Sequence, residues 1–204
     1  MNKSIENMMA EHRLIEQVLG ALDTLANRLQ QGLPVPRTDV ARFALFFREF
    51  ADRLHHGKEE DRLFVKMNEN GFPREFGPVG VMLMEHDAGR EHVRALAKAG
   101  EGTGPLSEAE ELDVAEHALA FVPLLLAHIQ KEDNILYPMA QQALPPAAME
   151  ALDRECTEFE QTTVSPEKIA QLKTLAATLL AAYPADADRL ACAQACVGCA
   201  GHHG

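Results

Sequence analysis

The sequence predicts an all-α protein made of four long helices, two shorter C-terminal helices and a Cys-rich tail. Three observations lead there. Aromatic and β-branched residues that favour strands are scarce, with no Trp and only two Tyr, while Leu, Ala, Glu and Met are plentiful. Apolar residues recur at alternating steps of three and four over long stretches, which puts them on one face of a helix. Clusters of Gly and Pro punctuate the chain between those stretches. A chain of 204 residues is long enough for one sizeable core. The organisation expected is a bundle over 1–143, a helical extension over 144–183 and a Cys/His-rich tail over 184–204.

The first helix runs from Lys3 to about Gln31, and its apolar face reads Ile5, Met8, His12, Ile15, Leu19 and Leu22. The second is expected to begin near Thr38 as N-cap and to run to about Asn68, with Phe43, Phe46, Phe47, Phe50 and Leu54 on its core face. A third, after Gly77-Pro78 and up to about Ala99, lines up Val79, Met82, His86, Val93 and Ala97. Ser107 and Glu110 form a capping box for the fourth, which reaches about Ala143 along Phe121, Leu125, His128, Glu132, Ile135 and Met139. Pro123 and Pro138 lie inside that pattern. Each removes a backbone donor and crowds the preceding turn, so a bend or loosened turn is expected on either side of His128. A shorter helix follows Pro145-Pro146, and another is opened by Ser165 with Pro166 at its first position.

Charge and composition narrow the function. A net charge of -12 argues against a surface that grips nucleic acid phosphates or anionic membranes. No apolar run reaches a bilayer-spanning length, and the N-terminus leads into an amphipathic pattern rather than a signal-peptide core. The expectation is a soluble cytoplasmic protein with neither nucleic acid nor membrane as partner.

Two segments carry the same i, i+4 pair: His56-Gly57-Lys58-Glu59-Glu60 and His128-Ile129-Gln130-Lys131-Glu132. On a helix that spacing stacks an imidazole and a carboxylate on one face, a single turn apart. His12 and His86 add one histidine each from the apolar stripes of two other helices. Four helices offering His, two of them with Glu, supply what a dinuclear metal site inside a bundle requires. Helix phase favours His56 and Glu60, which share a face with Leu63 and Met67, over His55 and Glu59. His92 is out of phase with His86, and His117 lies three turns from His128, so both are read as non-ligands.

The segments around Met9-Ala10-Glu11-His12, His56 to Phe64, Glu85-His86-Asp87 to Arg90, and His128 to Pro138 resemble the hemerythrin-like, HHE cation-binding family. The resemblance covers about residues 3 to 142. It implies an up-down-up-down antiparallel four-helix bundle around a non-haem di-iron centre, with His12, His56, Glu60, His86, His128 and Glu132 as metal ligands. Oxygen-carrying hemerythrins have a second histidine where this sequence has Arg90, and an Asp at the spacing of Asp133, although Glu132 lies better in the buried stripe. Four His and two Glu are closer to the relatives implicated in iron-centre repair and in the response to nitric oxide or oxidative stress.

If both glutamates bridge two Fe ions, each receives two imidazoles and two carboxylate oxygens, and an oxo or hydroxo bridge brings each to five ligands. The remaining position suits O2, peroxide or nitric oxide, and favours redox turnover over reversible carriage, with the electron donor unidentified. Ile15, Phe46, Phe64, Phe121, Leu125 and Ile135 are expected to keep water out. Alternatives are a non-catalytic oxygen or iron sensor or carrier, and a structural zinc bundle. Cys192, Cys196 and Cys199, followed by His202 and His203, offer a possible second metal site. Cys156 is read as an ordinary half-buried helical residue.

Overall fold

A computed structural model describes residues 2–186, and among these every regular element is helical. Helix α1 (Lys3–Gln30) is capped by the Asn2 side chain, which accepts from the amides of Ser4 and Ile5. Helix α2 (Arg37–Phe46) continues without a break through two π-helical stretches, Phe47–His56 and Glu59–Leu63, into α3 (Phe64–Glu69). Helix α4 (Gly77–Gly100) is followed by α5 (Glu108–Lys131), which passes through a third π-helical stretch, Glu132–Leu136, into α6 (Tyr137–Ala143). The extension consists of α7 (Pro146–Thr163) and α8 (Pro166–Ala182). Below, the second rod means α2 to α3 and the fourth rod α5 to α6.

Most helix ends fall where the sequence puts them. The Ser107–Glu110 capping box forms, and the Ser165 hydroxyl caps α8 by accepting from the Lys168 amide. Thr38 is not an N-cap. The second rod starts one residue earlier, with Pro36 at the cap position. Arg37, already inside the helix, turns back to the carbonyls of Ala99, Gly104 and Pro105 and grips Glu110 with both terminal nitrogens at 2.8 Å. One buried guanidinium thus ties together the start of α2, the end of α4 and the start of α5.

Contacts between the rods define a helical bundle. Helix α1 packs along α5, α5 along α4, and α4 along α2. Residue pairs show each packed pair running in opposite directions: His12 meets Asp133 while Leu29 and Leu112 line one cavity, His86 meets His128 while His92 meets His117, and Asp52 meets Arg90 while Gly100 meets Ala41. A Cβ on Gly100 would sit 2.7 Å from the Ala41 Cα, so glycine is what permits that close approach.

Two apolar cores fill the bundle, with a polar layer between them. Ile15, Leu54, Val93 and Leu125 belong to one core, and Met8, Leu63, Met82 and Leu136 to the other. The sequence between each pair holds the candidate ligands. The extension contributes to both cores: Leu152 and Cys156 of α7 join one, and Leu172 and Leu179 of α8, with Tyr183 just after it, join the other. The fourth rod, Glu108–Ala143, is long and apolar enough by composition to cross a bilayer, contrary to the sequence reading. Its packing against α1 and α4 and its inward His128 and Glu132 identify it as a core helix.

Candidate metal centre

The stripe expected for α1 is found intact: Ile5, Met8, His12, Ile15, Leu19 and Leu22 are all buried. On α4 the buried series is Val79, Met82, His86, Gly89, Val93 and Leu96, again in steps of three and four. Ordinary α-helical phase therefore delivers His12 and His86 inward.

The second and fourth rods depart from that phase. In a π-helical stretch the amide bonds the carbonyl five residues back, which widens the turn and slips the buried face relative to an α-helix. On the second rod the buried set becomes Phe50, Leu54 and His55, then Glu59, Leu63 and Met67. Expected on the outer side, His55 and Glu59 are 1% and 0% exposed. Glu60, expected inward, faces outward between Arg90 and His86. On the fourth rod the series Phe121, Leu125, His128, Glu132 holds, and then shifts from the expected Ile135 and Met139 to Leu136, Tyr137 and Ala140. Ile135 is 54% exposed and cannot shield the centre. The loosened turn expected near Pro138 is this π stretch, which lies where the ring would crowd the carbonyl four residues earlier. At Pro123 the α-helix continues.

Seven buried side chains converge in two groups that share a member. His56, Glu59, His86 and His128 present ligand atoms within 4.8 Å of one another, as do His12, His55, Glu59 and Glu132. Glu132 also faces both groups, with Oε2 3.2 Å from His12 Nε2 and Oε1 3.1 Å from His128 Nε2. Of the six residues expected from the sequence, the structure brings together His12, His56, His86, His128 and Glu132. It replaces Glu60 with Glu59 and adds His55.

Behind the histidines stands a ring of carboxylates. The Nδ1 atoms of His12, His55, His86 and His128 pair with Asp133 at 2.7 Å, Glu11 at 2.8 Å, Glu60 at 2.7 Å and Glu85 at 2.9 Å. His56 Nδ1 lies 3.5 Å from Asp52 without a hydrogen bond, unlike the other four. Such partners fix the tautomer with the proton on Nδ1, turn Nε2 toward the centre and raise its basicity as a ligand. Arg90 spans two of them, bonding Asp52 at 2.9 Å and Glu60 at 2.6 Å. Asp133 is likewise a partner of His12, which leaves Glu132 as the carboxylate of the fourth rod that faces the centre.

The polar atoms fit a cation. His12 Nε2, His55 Nε2, Glu59 Oε2 and both Glu132 oxygens are buried without a hydrogen-bond partner, and such groups are costly unless an ion or water completes them. His86 Nε2 and His128 Nε2 face each other at 2.9 Å, an encounter that a shared cation would reconcile. Burial and the neighbouring His86 push the His56 imidazole down to about 3, so it is neutral and its lone pair is available. Burial and the Glu132 charge hold the Glu59 carboxyl well above its usual range; Glu132 stays low despite its burial, because His128 and His12 face it. Imidazole and carboxylate together suit iron, zinc or manganese, and among the described residues no thiolate takes part.

Two charged or polar side chains brace the carboxylates from outside. Tyr137 donates to Glu59 Oε1 at 2.5 Å and stacks on His12 with ring centroids 5.6 Å apart. Lys58, only 1% exposed, lies between Glu11 and Glu160 of α7, so Glu160, Lys58, Glu11 and His55 form a charged chain running inward from the extension. Neither His92 nor His117 joins the donor groups; they meet each other at 3.0 Å between α4 and α5. Cys156 is fully buried rather than half-buried, and burial pushes its thiol up to about 11. Cys192, Cys196, Cys199, His202 and His203 lie outside the described residues.

The doublets His55-His56 and Glu59-Glu60 were the only sequence signal for the two missed residues. They left a one-residue ambiguity that α-helical phase resolved the wrong way.

Comparison with known proteins gives a family. The model of the hemerythrin HHE cation binding domain matches residues 3–140. Uncharacterized proteins of Mycobacterium bovis and Mycobacterium tuberculosis are 21% identical over 139 residues, covering 68% of this chain and 54% of theirs. The chain thus spans about half the length of the curated relatives it matches. No solved structure matches it.

Proposed function

Because the chain belongs to the hemerythrin HHE cation-binding family, we propose that it is a non-haem di-iron protein, an up-down-up-down four-helix bundle whose centre binds or reacts with O2, peroxide or nitric oxide. The observation that carries this reading is the pair of overlapping donor groups, each of four residues, with Glu59 common to both and Glu132 reaching across them. Iron bound there would supply the affinity for small diatomic ligands and the redox chemistry that the side chains lack.

The chain's own residues set the terms of that chemistry. Three imidazoles, from His56, His86 and His128, serve one group, while only His12 and His55 serve the other. The group with fewer imidazoles is where an external ligand would complete the set. Five imidazoles replace the four read from the sequence, so a scarcity of histidines does not favour turnover over carriage. Arg90 does not leave a gap either, since it holds the carboxylates behind His56 and His86. Phe64 and Tyr137 flank the layer on one side, and Phe46 and Phe121 on the other.

A sensing reading is favoured by one contact. Glu160 of the extension is the outer end of the chain through Lys58 and Glu11 to His55, so a change at the centre has a charged route to α7. Cytoplasmic roles in oxidative or nitrosative stress, or in maintenance of iron centres, fit either reading.

Metal analysis with an absorption spectrum tests the proposal. Two iron per chain and near-ultraviolet to visible absorption are expected, whereas a colourless zinc protein would contradict it. Mixing the reduced protein with O2 separates the outcomes: spectral changes reversed under vacuum indicate carriage, and irreversible oxidation indicates reaction. No change with O2, peroxide or nitric oxide would overturn the functional reading.

A further inference from the structure

A cavity of about 350 Å³ opens at the surface between the second rod, α4 and α5, and runs inward to Asp52 and His56. Its volume lies within the range of small-molecule sites, from about 300 Å³ upward. The walls are apolar: Phe47 and Ala51 from the second rod, Val93 and Ala97 from α4, and Phe121 and Leu125 from α5.

The mouth has the opposite character. Arg90, Arg94 and Lys98 follow one another at steps of four along α4, and Arg48 faces them from the second rod. This is a local reversal in a chain of net charge -12. Most of the positive charge is already shared. Arg90 bonds Asp52, Glu60 and Asp87, Arg48 bonds Glu49, and Arg94 bonds Glu91. Lys98 forms no ion pair among the described residues, and Glu101, at the outer edge of the cavity, does not engage it. The Arg94 and Arg48 pairs are exposed and therefore weak, so both guanidiniums remain available to a competing anion.

An apolar cleft whose outer end offers one unpaired ammonium and two weakly committed guanidiniums is complementary to a ligand with an apolar body and a single anionic head. We propose that this cavity is a binding site for a small amphipathic carboxylate, with the hydrocarbon chain against Phe47, Val93, Phe121 and Leu125 and the head group at Lys98 and Arg94. The chain end then lies toward His56, so the site borders the histidine centre without using it. Nothing in this inference depends on the centre holding iron.

Calorimetric titration of the purified full chain with decanoate tests the proposal, before and after treatment with a chelator. Saturable binding of one decanoate per chain is expected in both preparations. Decylammonium, with the same body and the opposite charge, and acetate, with the same head and no body, should each bind at least ten-fold more weakly. The double variant R94E/K98E should weaken decanoate at least ten-fold, and Ala97→Phe, which fills the cavity, should abolish its binding. Circular dichroism checks that the variants fold; if Ala97→Phe does not, the surface double variant decides alone. Absence of saturable binding, equal affinity for decylammonium, or undiminished binding by R94E/K98E would overturn the proposal. Binding that survives only in the untreated protein would assign the ligand to the histidine centre instead, and would also overturn it.

Discussion

Helices α1 and α4 each place one histidine in the polar layer by ordinary α-helical phase, whereas the second rod places three donors there by leaving that phase, and the fourth places two just before it leaves it. On α1 and α4 the buried stripe runs straight through the ligand and continues in steps of three and four. On the other two rods the π turns begin at or near the donors, and the stripe on the far side is displaced. A single α-helical face cannot aim the adjacent residues His55 and His56 at the same layer, because neighbours point about 100° apart. Widening the turn lets the second rod supply two imidazoles and a carboxylate within five residues. The difference teaches that donor density is obtained from backbone geometry, at sites where π turns are frequently found.

Substitutions on either side of the π stretch in the fourth rod should break or sharpen this contrast most strongly. Leu136→Ala removes a buried side chain and should cost about 2–5 kcal/mol in urea unfolding, while Ile135→Ala should change stability by about 0.5 kcal/mol or less. Equal costs would mean that the stripe is not displaced. A smaller effect is expected from Tyr137→Phe, which takes the donor from Glu59 Oε1 in a fully buried setting; about 1–3 kcal/mol is expected in the metal-free protein. Little loss there would show that the bond between the fourth and second rods is unimportant. The least effect belongs to histidines outside the polar layer: His92→Ala and His117→Ala should leave metal content at the wild-type level, because both residues stand outside the donor groups.

How much of this was legible in the sequence follows the same division. His12 and His86 could be read from periodicity because their helices are regular, and His128 and Glu132 because the π stretch begins only at Glu132. Pro138 gave warning of a loosened turn in the fourth rod, though not that Ile135 would be turned out to solvent. The second rod carries no proline, and nothing in its composition announces amide bonds five residues back. Its doublets therefore resolved to His56 and Glu60, and His55 and Glu59 were assigned to the wrong side. The carboxylates at the Nδ1 atoms were hidden for another reason. Glu11, Asp52, Glu60, Glu85 and Asp133 belong to different rods from most of the histidines they serve, and only assembly brings them together.

Metal content of Glu59→Ala and Glu60→Ala, measured side by side on folded protein, tests the central claim most directly. Glu59 is the residue common to both donor groups, while Glu60 only supports His86 and Arg90 from outside. Glu59→Ala should lose the dinuclear complement and its absorption, and Glu60→Ala should keep both ions with affinity lowered by about 10–100-fold, as expected for loss of a carboxylate behind a ligand histidine. Full metal content in Glu59→Ala together with its loss in Glu60→Ala would contradict the account, and would restore a regular α-helical phase to the second rod.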